Sequence, residues 1–220
     1  MIARPTPRSL HVLEASPSRL PAARRRRQLL DVAVEVFASG GFHGTSMDDV
    51  ATAAGVTKPV LYQHFGSKRE LYIELLDDVG TQLQDAVSSA TAHAQHPRAQ
   101  VERGFAAYFS FVASHESAFL LLFGGGSARD DDFAVRVRMF EASMADFIAS
   151  LIAADVDDAH RRTLAHGIVG MAEAACRHWL AGRHANEGSG RPATSPEALA
   201  AQIAELAWAG LRGVTRKGPD

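Results

Sequence analysis

Residues 42–72 read FHGTSMDDVATAAGVTKPVLYQHFGSKRELY, and the order of caps and apolar positions in this stretch decides the fold. Ser46 followed three residues on by Asp49 has the form of a capping box, in which hydroxyl and carboxylate satisfy backbone amides at a helix start. Val50 and Ala54, four apart, give a short apolar stripe. Gly55 suits the left-handed conformation that ends a helix, and Val56 is placed to pack under the turn. Thr57 caps a second short helix, with Pro59 in its first turn where a missing amide costs nothing. Ser67 with Glu70 repeats the capping pattern and opens a third helix. Two short helices around a Gly-containing turn form a helix-turn-helix, whose second helix enters the DNA major groove. In that second helix Leu61 and Phe65 must face inward, which leaves Lys58, Tyr62, Gln63 and His64 outward.

Upstream, Leu29, Leu30, Ala33, Val34, Val36 and Phe37 recur at helical spacing to about Ser39, and Gly40 and Gly41 end the pattern. The helix opens on Arg24, Arg25, Arg26 and Arg27. Cations are unfavourable at a helix N-terminus, so these arginines are expected to meet phosphates or follow the minor groove. Residues 1–21 are rich in Pro, Ser and Arg without a period and read as a disordered basic arm. The expected organisation is that arm, a DNA-binding domain over 22–72, and a second helical domain over 73–215.

The net charge of -2 fits a DNA-binding protein only once it is divided. Up to Arg69 there are 10 Lys and Arg against 5 Asp and Glu, leaving 13 against 20 beyond it. The basic charge thus coincides with the helix-turn-helix, where phosphates would be neutralised. At 46% hydrophobic and 22% charged the composition is that of a globular protein. No apolar run approaches the ~20 residues that cross a bilayer, and no apolar stretch follows the first arginines. A cytoplasmic protein without a membrane partner is expected.

The helix opened by Ser67 carries Leu71, Leu75, Leu76, Val79 and Leu83, and its pattern weakens through SSATAHAQHP, read as a loop before Pro97. Further helices follow over Val101–Val112, Phe133–Ile152, about Ala159–Leu180, and from Ser195 and Pro196 onward. A short apolar segment, Ala118–Phe123, precedes glycines 124–126, and 188–194 forms a Gly/Ser/Pro loop. No strand alternation appears, so the fold class is all-α. The middle helices are rich in aromatics and methionine, the residues that either fill a core or line an apolar cavity. Phe105, Tyr108, Phe109, Phe123, Phe140, Met144, Phe147 and Trp179 are the candidate ligand-binding residues. The last two helices carry Leu164, Ile168, Met171, Ala175 and His178, and Ile203, Leu206, Ala207, Gly210 and Leu211, with small residues between them that permit close helix approach.

The run from Arg24 to Leu76 resembles the N-terminal domain of TetR-type transcriptional regulators. Phe37, Gly41, Phe42, Thr45, Ala51, Ala54, Gly55, Val56, Leu61, Tyr62, His64, Phe65, Ser67 and Lys68 carry the match. The segment GIVGMAEAACRHWL, with AWAGL near the end, is more weakly similar to the fatty-acid-metabolism regulators of that family. The resemblance implies a ligand-responsive regulator, usually a repressor, binding palindromic double-stranded operator DNA. It implies a homodimer built from the last two helices, with Ile168, Met171, Ala175, Ile203, Leu206 and Gly210 at the interface. A small apolar effector, acyl-CoA or a fatty acid, is implied for the middle helices; a multidrug or other small-molecule sensor is the alternative. The rival of another class is an all-helical ligand-binding or enzymatic protein whose helix-turn-helix is purely structural, against which the exposed Lys58, Tyr62, Gln63, His64 and Lys68 speak. By family position Lys58 reaches a guanine edge or a phosphate. Pro59 and Val60 touch thymine methyls, Tyr62 meets phosphate or base, and Gln63 pairs with adenine. Ser46, Thr57, His64 and Lys68 hold phosphates. Asp48 and Asp49 depart from relatives that place a basic residue there, so the first short helix is not expected to read bases.

Catalysis finds little support. The sequence has no HExxH, GxxxxGK[ST] or GxSxG motif. Cys176 reads as a small buried apolar residue. His160 and His166 are spaced off a common helix face. No catalytic residue, metal or cofactor is expected.

Overall fold

The computed structural model describes residues 21–124, 130–186 and 194–214, and their regular elements are all helices. The chain order is α1 (Ala22–Gly44), α2 (Met47–Ala53), α3 (Lys58–His64), α4 (Lys68–Ala92), α5 (Pro97–Ser114), α6 (Glu116–Phe123), α7 (Asp131–Leu151), α8 (Asp158–Asn186) and α9 (Pro196–Val214). The arm expected over 1–21 lies outside the described residues except for Pro21. So do residues 125–127 of the glycine turn and most of the 188–194 loop.

Local chemistry sets the helix ends. Ser46 and Asp49 form the full reciprocal capping box on α2. At its other end Val56 N–H donates to Ala51 O and Gly55 N–H to Thr52 O, both at about 3 Å, with Gly55 at φ 64°. This is the Schellman arrangement, and it sets the tight turn into α3. Thr57 stands at the α3 N-cap in extended conformation, but its side chain makes no cap bond. Ser67 accepts from Glu70 N–H, while the Glu70 carboxylate accepts from Gly66 N–H. Ser195 caps α9 through Ala198 N–H, with Pro196 first in the helix.

Three boundaries differ from the sequence expectation. α8 runs to Asn186 rather than to about Leu180. α1 continues past Ser39 to Gly44 through a kink at Gly41, where φ is 66°. The stretch SSATA is helical rather than a loop. Thr91 is buried there and its hydroxyl donates to Val87 O at 2.9 Å, which satisfies it within the helix.

One apolar core runs from Leu29 to Ala207. The boundary drawn between Tyr72 and Ile73 falls inside α4, so the two regions share packing. α4 and α9 flank α5, α7 lies on α8, and α1 lies on α6. The N-terminal helices meet α7 through an aromatic seam. The ring of Phe133 sits 4.7 Å from Phe42 and 4.6 Å from Tyr72, and Tyr72 lies edge-on to Phe37 at 5.1 Å. Arg69 covers Phe133 at 5.0 Å and pairs with Asp130 at 2.8 Å. No single described helix is long and apolar enough to cross a membrane.

α4 and α7 cross closely at Gly80, where a Cβ would stand 2.8 Å from the Phe140 ring. Alanine there gains up to about 1 kcal/mol of helix propensity but must displace the ring, which costs about 1–3 kcal/mol. Gly80→Ala is therefore expected to lower stability in urea denaturation, and Phe140→Leu in the same chain to recover most of the loss. A stabilised single variant would show that the ring yields freely.

Candidate nucleic-acid interface and ligand cavity

α3 is anchored by Leu61 and by Phe65 just beyond its end, both fully buried. Helical spacing then turns Lys58, Pro59, Tyr62 and Gln63 outward, and all four are exposed. Tyr62 keeps 43% of its surface although it is a large aromatic. Val60 is half-buried, as is His64. Lys58 Nζ lies 2.8 Å from Asp48 Oδ2 across the turn, and this contact holds the ammonium pKa above its ordinary value. Asp49 is held below the usual carboxylate range by the Ser46 hydroxyl and amide. Ser46 and Thr57 are exposed at the starts of the two helices. The face thus offers donors, an aromatic ring and a methyl-bearing edge to a groove.

The four arginines do not act together. Arg24 is exposed at the start of α1, and Arg25 donates to Gln28 at 2.8 Å. Arg26 is turned inward: its Nε donates to Glu74 at 2.9 Å, a second nitrogen bonds His64 O at 2.5 Å, and its guanidinium covers Phe65 at 4.5 Å. Arg27 bridges Asp31 and Asp78 at 2.6 Å each, and Asp78 chiefly holds its pKa above the ordinary value. Lys68 is likewise turned inward, bonding Phe42 O at 2.8 Å and Thr45 O at 2.9 Å, with the Phe42 ring 4.4 Å away. Arg26, Arg27 and Lys68, all expected at phosphates, are thus engaged within the chain. Arg26 joins α1 to α4 and to the last carbonyl of α3, a C-terminal carbonyl that needs a donor. Arg27 joins α1 to α4 through Asp78, and Lys68 joins α4 to the end of α1.

The second region holds a pocket of about 360 Å³, open to solvent on one side, between α4, α5, α7, α8 and α9. Phe105, Tyr108 and Met144 line it, as expected. Phe109, Phe123, Phe140, Phe147 and Trp179 do not line it, and pack in or against the core. The Trp179 indole donates to Thr194 O at 2.7 Å and so fixes the start of α9. The wall is instead mostly small or aliphatic, including Val87, Val101, Gly104, Ile148, Leu151, Ile152, Ala154, Val169 and Ala172, with Trp208 and Leu211 from α9. Gln100 and Arg212 add polar groups. Burial pushes the Tyr108 phenol well up and the Cys176 thiol up to about 12, so both stay neutral. Among the described residues no group of three His, Cys, Asp or Glu is placed to hold a metal.

The residues expected at a dimer interface divide. Ile168 lines the cavity, while Met171, Ala175 and Ile203 pack against the chain's own core. Leu206 is 62% exposed, and Gly210 is exposed beside it with Ala209. On α8 the exposed line is Gly167, Gly170, Ala174 and His178. No atom lies within 4 Å of where a Cβ would stand at Gly167, Gly170 or Gly210. The small residues therefore permit no close approach within the chain.

A helix-turn-helix with an outward aromatic and polar face, joined by one long helix to an all-helical region with an apolar pocket, is the architecture of a DNA-binding transcriptional regulator. Residues 29–75 match the model for bacterial regulatory proteins of the tetR family. Residues 97–210 match that for the tetracyclin repressor-like C-terminal domain. The HTH-type transcriptional activator FasR of Mycolicibacterium smegmatis is 35% identical over 203 residues, covering 90% of this chain and 87% of FasR. A TetR-like transcriptional regulator from Rhodococcus sp. RHA1 superposes with a TM-score of 0.70 at 30% identity, covering 89% of this chain and all of that one. FadR from Bacillus subtilis, solved in complex with stearoyl-CoA, shares the fold with a TM-score of 0.66 at 16% identity, over 84% of this chain and 98% of its own. The chain belongs to the TetR family of transcriptional regulators.

The inward role of Arg26 is testable without DNA. Arg26→Ala leaves Glu74 and the His64 carbonyl without this donor. It is expected to cost about 1–2 kcal/mol, discounted for partial exposure. Arg24→Ala should change stability by less than about 0.5 kcal/mol. Equal urea midpoints for the two variants would remove the clamp.

Proposed function

We propose that the protein binds a two-half-site operator as a homodimer through α3, and that its effector is a long-chain acyl compound, as the free acid or the coenzyme A thioester. The observation that carries the effector assignment is the cavity. Its aliphatic wall suits a flexible chain better than a planar ring, and Arg212, exposed on the lining, suits a carboxylate or phosphate at the chain's end. The stearoyl-CoA held by the Bacillus subtilis fold neighbour supports the reading. A planar-drug sensor is the second reading, favoured only by Trp208, Phe105 and Tyr108 on the wall.

On DNA, Tyr62 and Gln63 supply the central contacts of α3, Lys58, Pro59 and Val60 the first-turn contacts, and Arg24, Arg25, Ser46 and Thr57 the phosphate contacts. Dimerisation through the exposed small-residue lines of α8 and α9 sets the two recognition helices about one DNA turn apart, ~34–36 Å. The family resemblance implied repression, whereas the relative matched over most of the chain is named an activator. Transcription in vitro from a promoter carrying the selected operator gives the sign.

Operator selection from random duplexes, followed by gel shift, tests the DNA assignment. Tyr62→Ala is expected to lose operator binding with unchanged circular dichroism, and Gln63→Ala to relax one symmetric position by about 1–3 kcal/mol. Unchanged affinity in both variants would remove this face from the interface.

The effector is tested by titrating acyl-CoA thioesters and fatty acids of graded length, and planar drugs, while operator affinity is followed. A tenfold shift requires about 1.4 kcal/mol of unequal binding to the two forms of the protein. Acyl compounds should produce it in the parent chain and fail in Ala172→Phe, which fills the cavity. A response to drugs alone would transfer the assignment to the second reading.

For the dimer, Gly170→Arg is expected to give a monomer in light scattering and to weaken operator binding. A dimer that persists would place the interface elsewhere.

A further inference from the structure

We infer that Asp48 and Lys58 work as one specificity-determining pair, in which Asp48 keeps Lys58 off the phosphates and the two together read the major-groove edge of a G·C base pair. The inference rests on the DNA-binding reading above. Lys58 is the first residue of α3, and the N-terminal residues of a recognition helix are those that reach base edges. Its ammonium sits 2.8 Å from Asp48 Oδ2, with side chains 50% and 63% exposed. An ion pair so exposed adds little to stability. Asp49, not Asp48, makes the capping box of α2, and the place of Asp48 in the first turn favours the helix dipole without requiring its contact with Lys58.

The pair changes what this face offers to DNA. Lysine alone is a mobile point charge that any phosphate can take, and each such contact adds sequence-independent affinity. Beside Asp48 that charge is locally cancelled, and transfer to a phosphate leaves the carboxylate alone in the field of the backbone. A G·C edge removes this penalty. Guanine presents two adjacent acceptors, N7 and O6, and the cytosine amine lies next to them as a donor. The ammonium can take both acceptors while the carboxylate accepts from the amine, so neither charge is left without a partner. An A·T edge lacks two adjacent acceptors for the ammonium.

The test uses Asp48→Asn, which keeps the side chain's shape and removes its charge, with Lys58→Ala and the parent chain. Each is measured against the selected operator, its single-position variants and bulk duplex over a range of salt, with circular dichroism as the folding control. Asp48→Asn is expected to bind bulk duplex about five- to tenfold more tightly near 0.1 M salt and to steepen the log–log salt slope by about one. It should also lose at least tenfold in preference for G·C at one symmetric position, the same position that Lys58→Ala relaxes. Equal tightening on every sequence with the preference intact would overturn the pair and leave Asp48 as a general repulsion. No change in either quantity would overturn it as an idle surface contact. A parent chain that binds no duplex would overturn the DNA-binding reading itself, and this inference with it.

Discussion

A seven-residue helix makes too few internal hydrogen bonds to persist alone in water, and the helix-turn-helix is built from two of them. The rest of the N-terminal region answers that constraint. Leu61 and Phe65 bury α3 from beneath, and Val50 and Ala51 do the same for α2. The end of α3 is held by Arg26, which spans the His64 carbonyl, the Phe65 ring and Glu74. Lys68 ties the segment before α2 to the start of α4 through two carbonyls. Cations placed there do work that neutral donors would do less well, since charge-assisted bonds are the stronger ones. The consequence is that the basic excess before Arg69 overstates what remains for phosphates.

The helix starts were legible because their signals are local. Ser46 with Asp49, Gly55, Ser67 and Ser195 with Pro196 each act within a few residues, and each appears where its chemistry requires. The inward turn of Arg26 and Lys68 was not legible, because their partners lie 48 and 26 residues away. The same holds for SSATA, whose weak helical pattern is overridden by burial of Thr91.

The pocket wall was only partly legible, for a different reason: Phe105, Tyr108 and Met144 line it, but most of the wall is not aromatic. Large aromatics draw attention in a sequence, yet in a close-packed interior they fill space rather than leave it. Phe109 and Phe119 are buried for that reason. A cavity arises where side chains stop short of one another, so its wall is made by residues such as Gly104, Ala154 and Ala172 that look unremarkable in order along the chain. The residues expected at a dimer interface divide for a related reason. On α8 the apolar Ile168 and Met171 turn inward, while Gly167, Gly170 and Ala174 beside them face out; on α9 Leu206 and Gly210 are exposed.

α7 touches both functional regions. Its first turns place Phe133 between Phe42 and Tyr72, and its later turns give Met144, Ile148 and Leu151 to the cavity. At 1.5 Å per residue, Phe133 and Met144 are about 16 Å apart along the helix. Between them Phe140 meets Gly80 of α4 too closely to admit a Cβ, so the two helices that join the regions are fitted to each other at mid-length. Contacts alone do not make a coupling. Coupling requires an occupant whose affinity differs between two arrangements of these helices. What the packing contributes is that such a difference need cross no gap. The atoms that line the pocket and those that pack against α1 and the start of α4 belong to one helix.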